Sequence, residues 1–257
     1  MKLSTIIPTT IADLKRFLVV LVLGYIILVG IIYFQQRSLL FHPTHNINQF
    51  SLTPWKDGLE TIGFCREVSS PNTIWLMMHG NGGQASDREY VLSHISDRDS
   101  FYVLEYPGYG SRAGKPTMES MNQAASDAYK LLRSQNPNSP VCVLGESIGS
   151  GPACSLSKEK TPPDKIVLLV PFDSLASVAS QHFPYIPVRL LLHDNWDNVG
   201  ALSHYSGPVE IFGAKEDTII PIEHARALAT QIPNAHLVEI PGGHNDWSDQ
   251  DEVRIAR

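Results

Sequence analysis

One serine, one histidine, a choice of carboxylates and a glycine-rich loop give this chain the parts for nucleophilic catalysis. The serine is Ser147, within Gly145-Glu146-Ser147-Ile148-Gly149. A serine hydroxyl is a weak nucleophile at neutral pH, so it needs a base within hydrogen-bond reach and a group that orients the base. The apolar run Val141-Cys142-Val143-Leu144 precedes the pentapeptide and the small-residue segment Ser150-Gly151-Pro152-Ala153-Cys154 follows it. That order predicts a strand, a sharp turn and a helix. In that setting G-x-S-x-G reads as a nucleophile elbow, which lifts the hydroxyl clear of the backbone. The flanking glycines suit a turn too tight for side chains on the neighbouring backbone.

The base candidate is His244, in Pro241-Gly242-Gly243-His244-Asn245-Asp246, just after the last predicted strand. The chain holds nine other histidines, and none has this setting. Among them, His224 falls in a predicted helix and reads as structural. The acid candidate is Asp217, in Phe212-Gly213-Ala214-Lys215-Glu216-Asp217-Thr218-Ile219-Ile220-Pro221. It follows a strand and precedes a helix that starts on proline, a turn that presents the carboxylate at the sheet edge. Its neighbour Glu216 and, after an earlier strand, Asp173 are alternatives for the same role. The developing oxyanion needs backbone N–H donors. Ile148, the residue after the nucleophile, is expected to give one, and Asn81, in the loop His79-Gly80-Asn81-Gly82-Gly83, the other. The spacing in that loop fits neither common phosphate-binding glycine motif. No metal or organic cofactor is expected.

Positioning these groups requires a sheet. Short apolar runs at Leu59–Phe64, Thr73–Met78, Ser100–Glu105, Val141–Leu144, Lys165–Val170, Val209–Phe212 and His236–Ile240 read as strands. Continuous apolar character suits parallel strands covered on both faces. Helical patterns lie between them, at Met118–Arg133 and from Pro221 to Ala229. The alternation predicts an α/β fold with a mainly parallel central sheet and helices on both faces. About residues 174–205 carry no strand pattern but hold Phe183, Tyr185, Leu190, Leu191, Leu192 and Trp196. This stretch is expected either to form a small lid over the carboxyl ends of the strands or to be an ordinary crossover helix.

The N-terminal region has a different character. Phe17–Phe34 is 18 residues without a charge. As a helix it would run roughly 27 Å, close to a bilayer's hydrocarbon thickness. A signal peptide has an apolar run of only ~7–15 residues and a small-residue cleavage site, whereas Gln35-Gln36-Arg37-Ser38-Leu39-Leu40-Phe41 follows here. The sequence therefore predicts a tail and signal anchor over residues 1–40, with a hydrolytic domain over 41–257. Lys2, Lys15 and Arg16 precede the span and Arg37 follows it closely, which places the N-terminus in the cytoplasm and the domain outside it. With 257 residues and a formal net charge of −6, the chain holds one domain plus this extension and shows no basic footprint for nucleic acid. Three scattered cysteines, Cys65, Cys142 and Cys154, form neither a disulfide framework nor a zinc site; Cys142 and Cys154 read as inert core thiols.

The motifs His79-Gly80-Asn81-Gly82, Tyr106-Pro107-Gly108-Tyr109-Gly110, GESIG, GAKEDTIIP and GGHND, in that order, resemble the α/β-hydrolase superfamily over about Leu59 to Trp247. With the apolar N-terminal span and the link Leu39-Leu40-Phe41-His42-Pro43, the chain is similar to the membrane-anchored ABHD-type hydrolases of the Bem46 group. The resemblance implies Ser147 as nucleophile, Asp217 as acid, His244 as base, and Asn81 and Ile148 as oxyanion donors. It implies a serine hydrolase of carboxylic esters or thioesters, since such relatives include depalmitoylating thioesterases and monoacylglycerol-type lipases. The sequence departs from the family at Glu105, where relatives often carry Asp, and in its short segment after His244, which is expected to leave the histidine loop less well braced. An apolar lid and a membrane tether favour acyl or lipid-like substrates. A peptidase or amidase on the same triad, or a non-catalytic membrane-anchored binding protein, is the alternative.

Overall fold

The computed structural model describes residues 10–46 and 51–257. The chain divides into two compact units, Met1–Leu39 and Leu40–Arg257. The first is a single helix in its described part: α1, Ile11–Leu40, has 30 residues, none of them buried, and carries Asp13 in its first turn and Arg37 in its last. It is the one helix among the described residues long and apolar enough to cross a membrane, at about 45 Å in length.

The second unit is built on an eight-stranded sheet. Its strands are β2 (Thr53–Asp57), β3 (Glu60–Arg66), β4 (Ile74–Met78), β6 (Ser100–Leu104), β7 (Val141–Glu146), β8 (Ile166–Leu169), β9 (Val209–Ala214) and β10 (Ala235–Ile240). Two short strands, β1 (His42–Pro43) and β5 (Gly82–Gly83), pair with each other in parallel outside it. The spatial order is β10-β9-β8-β7-β4-β6-β3-β2. Only β2 and β3 run antiparallel to their neighbours. Every residue of β4, β6, β7 and β8 is buried, as continuous apolar runs in central parallel strands require. Side chains alternate between two cores: Ile74, Leu76 and Met78 face one, Trp75 and Met77 the other.

Helix α2 (Met118–Gln135) crosses from β6 to β7. Thr117 caps it by accepting from Ser120 N, and Ser120 reciprocates on Thr117 N. Its buried face is Met121, Ala124, Ala125, Ala128, Tyr129 and Leu132, at helical spacing. Helix α3 (Ser150–Ser155) follows the elbow. Between β8 and β9 lie α4 (Leu175–His182), α5 (Val188–Leu191) and α6 (Asn198–Leu202), and α7 (Ile222–Gln231) joins β9 to β10. The unpatterned stretch is thus a set of three short helices. The strand β2, which the apolar pattern did not predict, is an edge strand with Pro54, a bulge at Trp55/Lys56 and one buried side chain, Trp55.

The strand order reverses at β4: β6 lies on one side of it and β7, next in the chain, on the other. Ligands bind at such a switch point, outside the carboxyl ends of the strands. The loops after β4 and β7 lie at this point.

Candidate active site

The chain leaves β7 at Glu146 and turns through Ser147–Gly149 into α3. Ser147 has φ +53°, a left-handed conformation that is strained for a residue with a side chain. A Cβ on Gly145 would come within 2.7 Å of the Ala153 side chain and 2.8 Å of Ser150 Cα, and one on Gly149 would overlap the Met78 and His79 carbonyl oxygens. The elbow thus packs without room on either side and backs onto the end of β4.

His244, the candidate base, lies beside Ser147. Ser147 Oγ donates to His244 Nε2 at 2.9 Å, and His244 Nδ1 donates to Asp217 Oδ2 at 2.6 Å. A carboxylate facing Nδ1 keeps the proton there and leaves Nε2 free to accept. Asp217 Oδ1 accepts from the N–H groups of Ile219 and Ile220, both at 2.8 Å. The Asp217 side chain is 1% exposed and that of His244 9%. Three donors on a buried carboxylate satisfy it and fix its direction.

The two other candidate acids are elsewhere. Glu216 is exposed, and its N–H donates to Gly242 O at 3.0 Å. Asp173 pairs with a different histidine: His224 Nδ1 donates to Asp173 Oδ1 at 2.7 Å, and His224 Nε2 lies 2.9 Å from the Gln181 carboxamide. Burial works to raise the Asp173 carboxyl, but hydrogen bonds from His224 and Ser174 and the His224 charge outweigh it and hold it below the usual range. The Gln181 bond ties α4 to α7, and His182 Nε2 adds a bond to Ile219 O at 2.8 Å. The three-helix insertion is thereby fastened to the loop that carries Asp217.

The loop after β4 is held by its own network. Asn81 O accepts from His42 N at 3.0 Å and from the Tyr109 hydroxyl at 2.7 Å, and Asn81 Nδ2 donates to Leu40 O at 3.0 Å. The Asn81 N–H has no acceptor among the described residues. Ile148 follows Ser147 in the first turn after the strand, where N–H groups lack helical partners. The β1–β5 pairing that stitches the link to this loop left no periodic signal in the sequence, being two residues on each side.

Glu146 is a further residue of this candidate site, one that sequence reasoning passed over. It sits inside the elbow motif and reads there as the variable position. Its buried carboxylate accepts from Gly80 N at 3.1 Å, and from the Tyr90 hydroxyl and Trp247 Nε1, both at 3.3 Å. The Arg88 guanidinium lies 4.0 Å away. Burial and the Glu146 charge hold the Tyr90 phenol well above its ordinary value. One carboxylate thus joins the residue before Ser147 to the residue before Asn81 and, through Trp247, to the turn after His244. Trp247 is 1% exposed, and Gly243 N donates to Asp246 Oδ2 at 2.8 Å. These contacts brace the histidine loop, which the short segment after His244 was expected to leave loose. Glu105, the other departure, is buried and accepts from Ala85 N at 3.1 Å.

Among the described residues no cluster of His, Cys, Asp or Glu is arranged to hold a metal ion. The three cysteines are free and buried, and burial pushes the Cys142 thiol up to about 12, which keeps it protonated and unreactive. A cavity of about 950 Å³ opens at the opposite, amino ends of β4 and β6 and includes Thr73, His94, Asp99 and Arg254, none of them site residues.

No family model matches the chain. Solved structures share its fold. An esterase of Pyrococcus furiosus, Pf2001, superimposes with a TM-score of 0.61 at 13% identity, over 82% of this chain and 95% of that one. The chain has the α/β-hydrolase fold. In sequence it is 29% identical to an uncharacterized protein of Mycobacterium tuberculosis over 256 residues, 91% of each. It is 25% identical over 196 residues to the lysophosphatidylserine lipase ABHD12 of Macaca fascicularis, a match that spans 68% of this chain but only 49% of ABHD12.

Proposed function

We propose that this α/β-hydrolase is a membrane-anchored serine hydrolase that cleaves carboxylic esters or thioesters of acyl, lipid-like substrates. The observation that carries the proposal is the continuous chain Ser147 Oγ–His244–Asp217, with separations of 2.9 and 2.6 Å. Ser147 attacks the acyl carbonyl while His244 Nε2 takes its proton. Asp217 holds the tautomer and stabilises the imidazolium. The N–H groups of Asn81 and Ile148 receive the oxyanion. His244 then returns the proton to the leaving alcohol or thiol, an acyl-Ser147 ester remains, and water releases the acid by the same steps in reverse. The lipase and esterase names of the relatives support an ester substrate. The apolar helix α1 supports a single-pass anchor, and the Lys/Arg balance around it supports an extracytoplasmic domain.

A fluorophosphonate probe tests the reading directly. The full-length protein is expected to label and to hydrolyse a graded panel of acyl esters and thioesters, and Ser147→Ala is expected to lose both. A folded wild-type protein that does not label, or a Ser147→Ala variant that labels equally, leaves a binding protein on a hydrolase fold.

A further inference from the structure

The two hydrogen bonds that Asp217 Oδ1 accepts come from the turn that follows it, from Ile219 N–H and Ile220 N–H, each at 2.8 Å. The Ile220 N–H shares one peptide unit with the Ile219 carbonyl, and a planar trans peptide points the two in opposite directions. On the carbonyl side of that unit is His182, the last residue of α4, with Nε2 2.8 Å from Ile219 O. A carbonyl oxygen only accepts, so Nε2 carries the proton and donates. The contacts thus form one line from the insertion to the nucleophile. His182 Nε2–H donates to Ile219 O, Ile220 N–H to Asp217 Oδ1, His244 Nδ1–H to Asp217 Oδ2, and Ser147 Oγ–H to His244 Nε2. Hydrogen bonds in such a chain polarise one another, so each strengthens the next.

Packing alone does not fix the turn. Lys215, Glu216, Thr218 and Ile219 are exposed, and only Asp217 and Ile220 of residues 215–220 are buried. The grip on Ile219 O comes from a helix held at both ends. At the start of α4, the Ser174 hydroxyl accepts from Ser177 N, and Ala176 N donates to Asn195 Oδ1 at 3.0 Å. At its end, the Gln181 carboxamide lies 2.9 Å from His224 Nε2, and His224 is fixed in turn by Asp173 at 2.7 Å. We propose that His182 is a positioning residue for hydrolysis: by holding Ile219 O it aims the Ile220 N–H at Asp217, so that the placement of the insertion sets the orientation of the acid. The inference rests on the Ser147–His244–Asp217 reading and adds a means of regulating it, since a ligand that moves the end of α4 changes how firmly Asp217 is held. Its scale is that of one hydrogen bond to the backbone, a factor of up to about ten in rate.

The test uses the full-length protein in detergent micelles. His182→Phe keeps a ring at the end of α4 and removes the donor; His182→Gln returns an amide N–H at a similar reach. His182 is exposed, so both variants are expected to fold, and Tm checks it. The informative readout is the far-downfield proton resonance of the His244 Nδ1–H to Asp217 bond, 2.6 Å long and assigned by its loss in Asp217→Asn. In His182→Phe this resonance is expected to move upfield or broaden, while kcat on a soluble short-chain ester falls about five- to tenfold with KM unchanged. His182→Gln is expected to restore the resonance and to bring kcat within about twofold of wild type. A resonance unaltered in His182→Phe overturns the proposal even where Tm or kcat falls, because His182 then only fastens the insertion. His182→Gln as impaired as His182→Phe also overturns it, since the donated bond is then not what matters; where exchange with water hides the resonance in the wild type, that comparison of kcat decides. The resonance is read without turnover. A wild-type protein that shows it but neither labels with fluorophosphonate nor hydrolyses esters therefore defeats the hydrolase reading and leaves the positioning test standing.

Discussion

Replacing Glu146 tests whether one buried carboxylate sets the geometry of the whole site. In Glu146→Ala, Gly80 N–H, the Tyr90 hydroxyl and Trp247 Nε1–H lose their acceptor, and Arg88 loses the anion 4.0 Å away. A buried donor left unpaired costs about 1–3 kcal/mol, and breaking one side of a buried charged pair costs about 3–5 kcal/mol. The bonds here are long, 3.1–3.3 Å, and Arg88 keeps its bonds to Tyr90 and Gly82, so about 3 kcal/mol is expected in total. For a domain of this size that is a fall in Tm of about 6–12 °C. The catalytic effect is the informative one. Gly80 precedes Asn81, Trp247 follows His244 by three residues, and Glu146 precedes Ser147, so releasing the carboxylate frees three functional groups at once. A displacement of an ångström in such a site costs about 10²-fold in rate. At 25 °C, well below either Tm, kcat on a soluble short-chain ester is expected to fall about 10²-fold with KM nearly constant. Glu146→Gln keeps the volume and one acceptor oxygen and should recover to within about tenfold of wild type. If Glu146→Ala lowers Tm as stated but leaves kcat unchanged, the carboxylate holds the fold together and does not position the site.

Asp217→Asn is expected to reduce kcat by about 10⁴-fold with little change in KM, because the amide favours the wrong histidine tautomer; steady-state kinetics with active-site titration check it, and a loss under tenfold would move the acid role elsewhere. Asp173 gives a pH prediction. Its carboxyl is held below the usual range, so the stability it contributes is fully present above the ordinary value of about 3.9 and is lost as pH falls through the lower, folded value. Asp173→Asn should therefore lower Tm at neutral pH and flatten the acid limb of a Tm-against-pH curve. Parallel acid limbs in the two proteins would show that the Asp173–His224 pair is not a source of acid sensitivity.

The parts of the site that could be read from the sequence are those built from neighbours in the chain. Ser147 and its elbow come from a strand, a turn and a helix within about a dozen residues, and His244 and Asp217 each sit just past a strand end. The strands were visible because central parallel strands are apolar without interruption. What remained hidden depends on contacts across the fold. Asp173 and Asp217 look alike in sequence, both following strands; only the position of α7 gives His224 to one and leaves His244 to the other. Glu146 has partners at positions 80, 88, 90 and 247, and no spacing rule joins those numbers. The edge strand β2 has no apolar run, since only Trp55 among its five residues is buried.

The glycines of the elbow link the legible and hidden parts. The sequence accounts for them as relief for a tight turn, and φ +53° at Ser147 agrees with such a turn. Yet Gly149 itself does not have a positive φ; its backbone is helical, at φ −62°. Its requirement is distance. With no Cβ it lets the elbow rest against the carbonyl oxygens of Met78 and His79, the residues that lead into Gly80 and Asn81. That contact brings the first turn after Ser147 up to the loop that Glu146 holds from below. The oxyanion role proposed for Ile148 N–H and Asn81 N–H needs these two segments close together, and the last glycine of the motif leaves out the side chain that would push the elbow off the Met78 and His79 carbonyls.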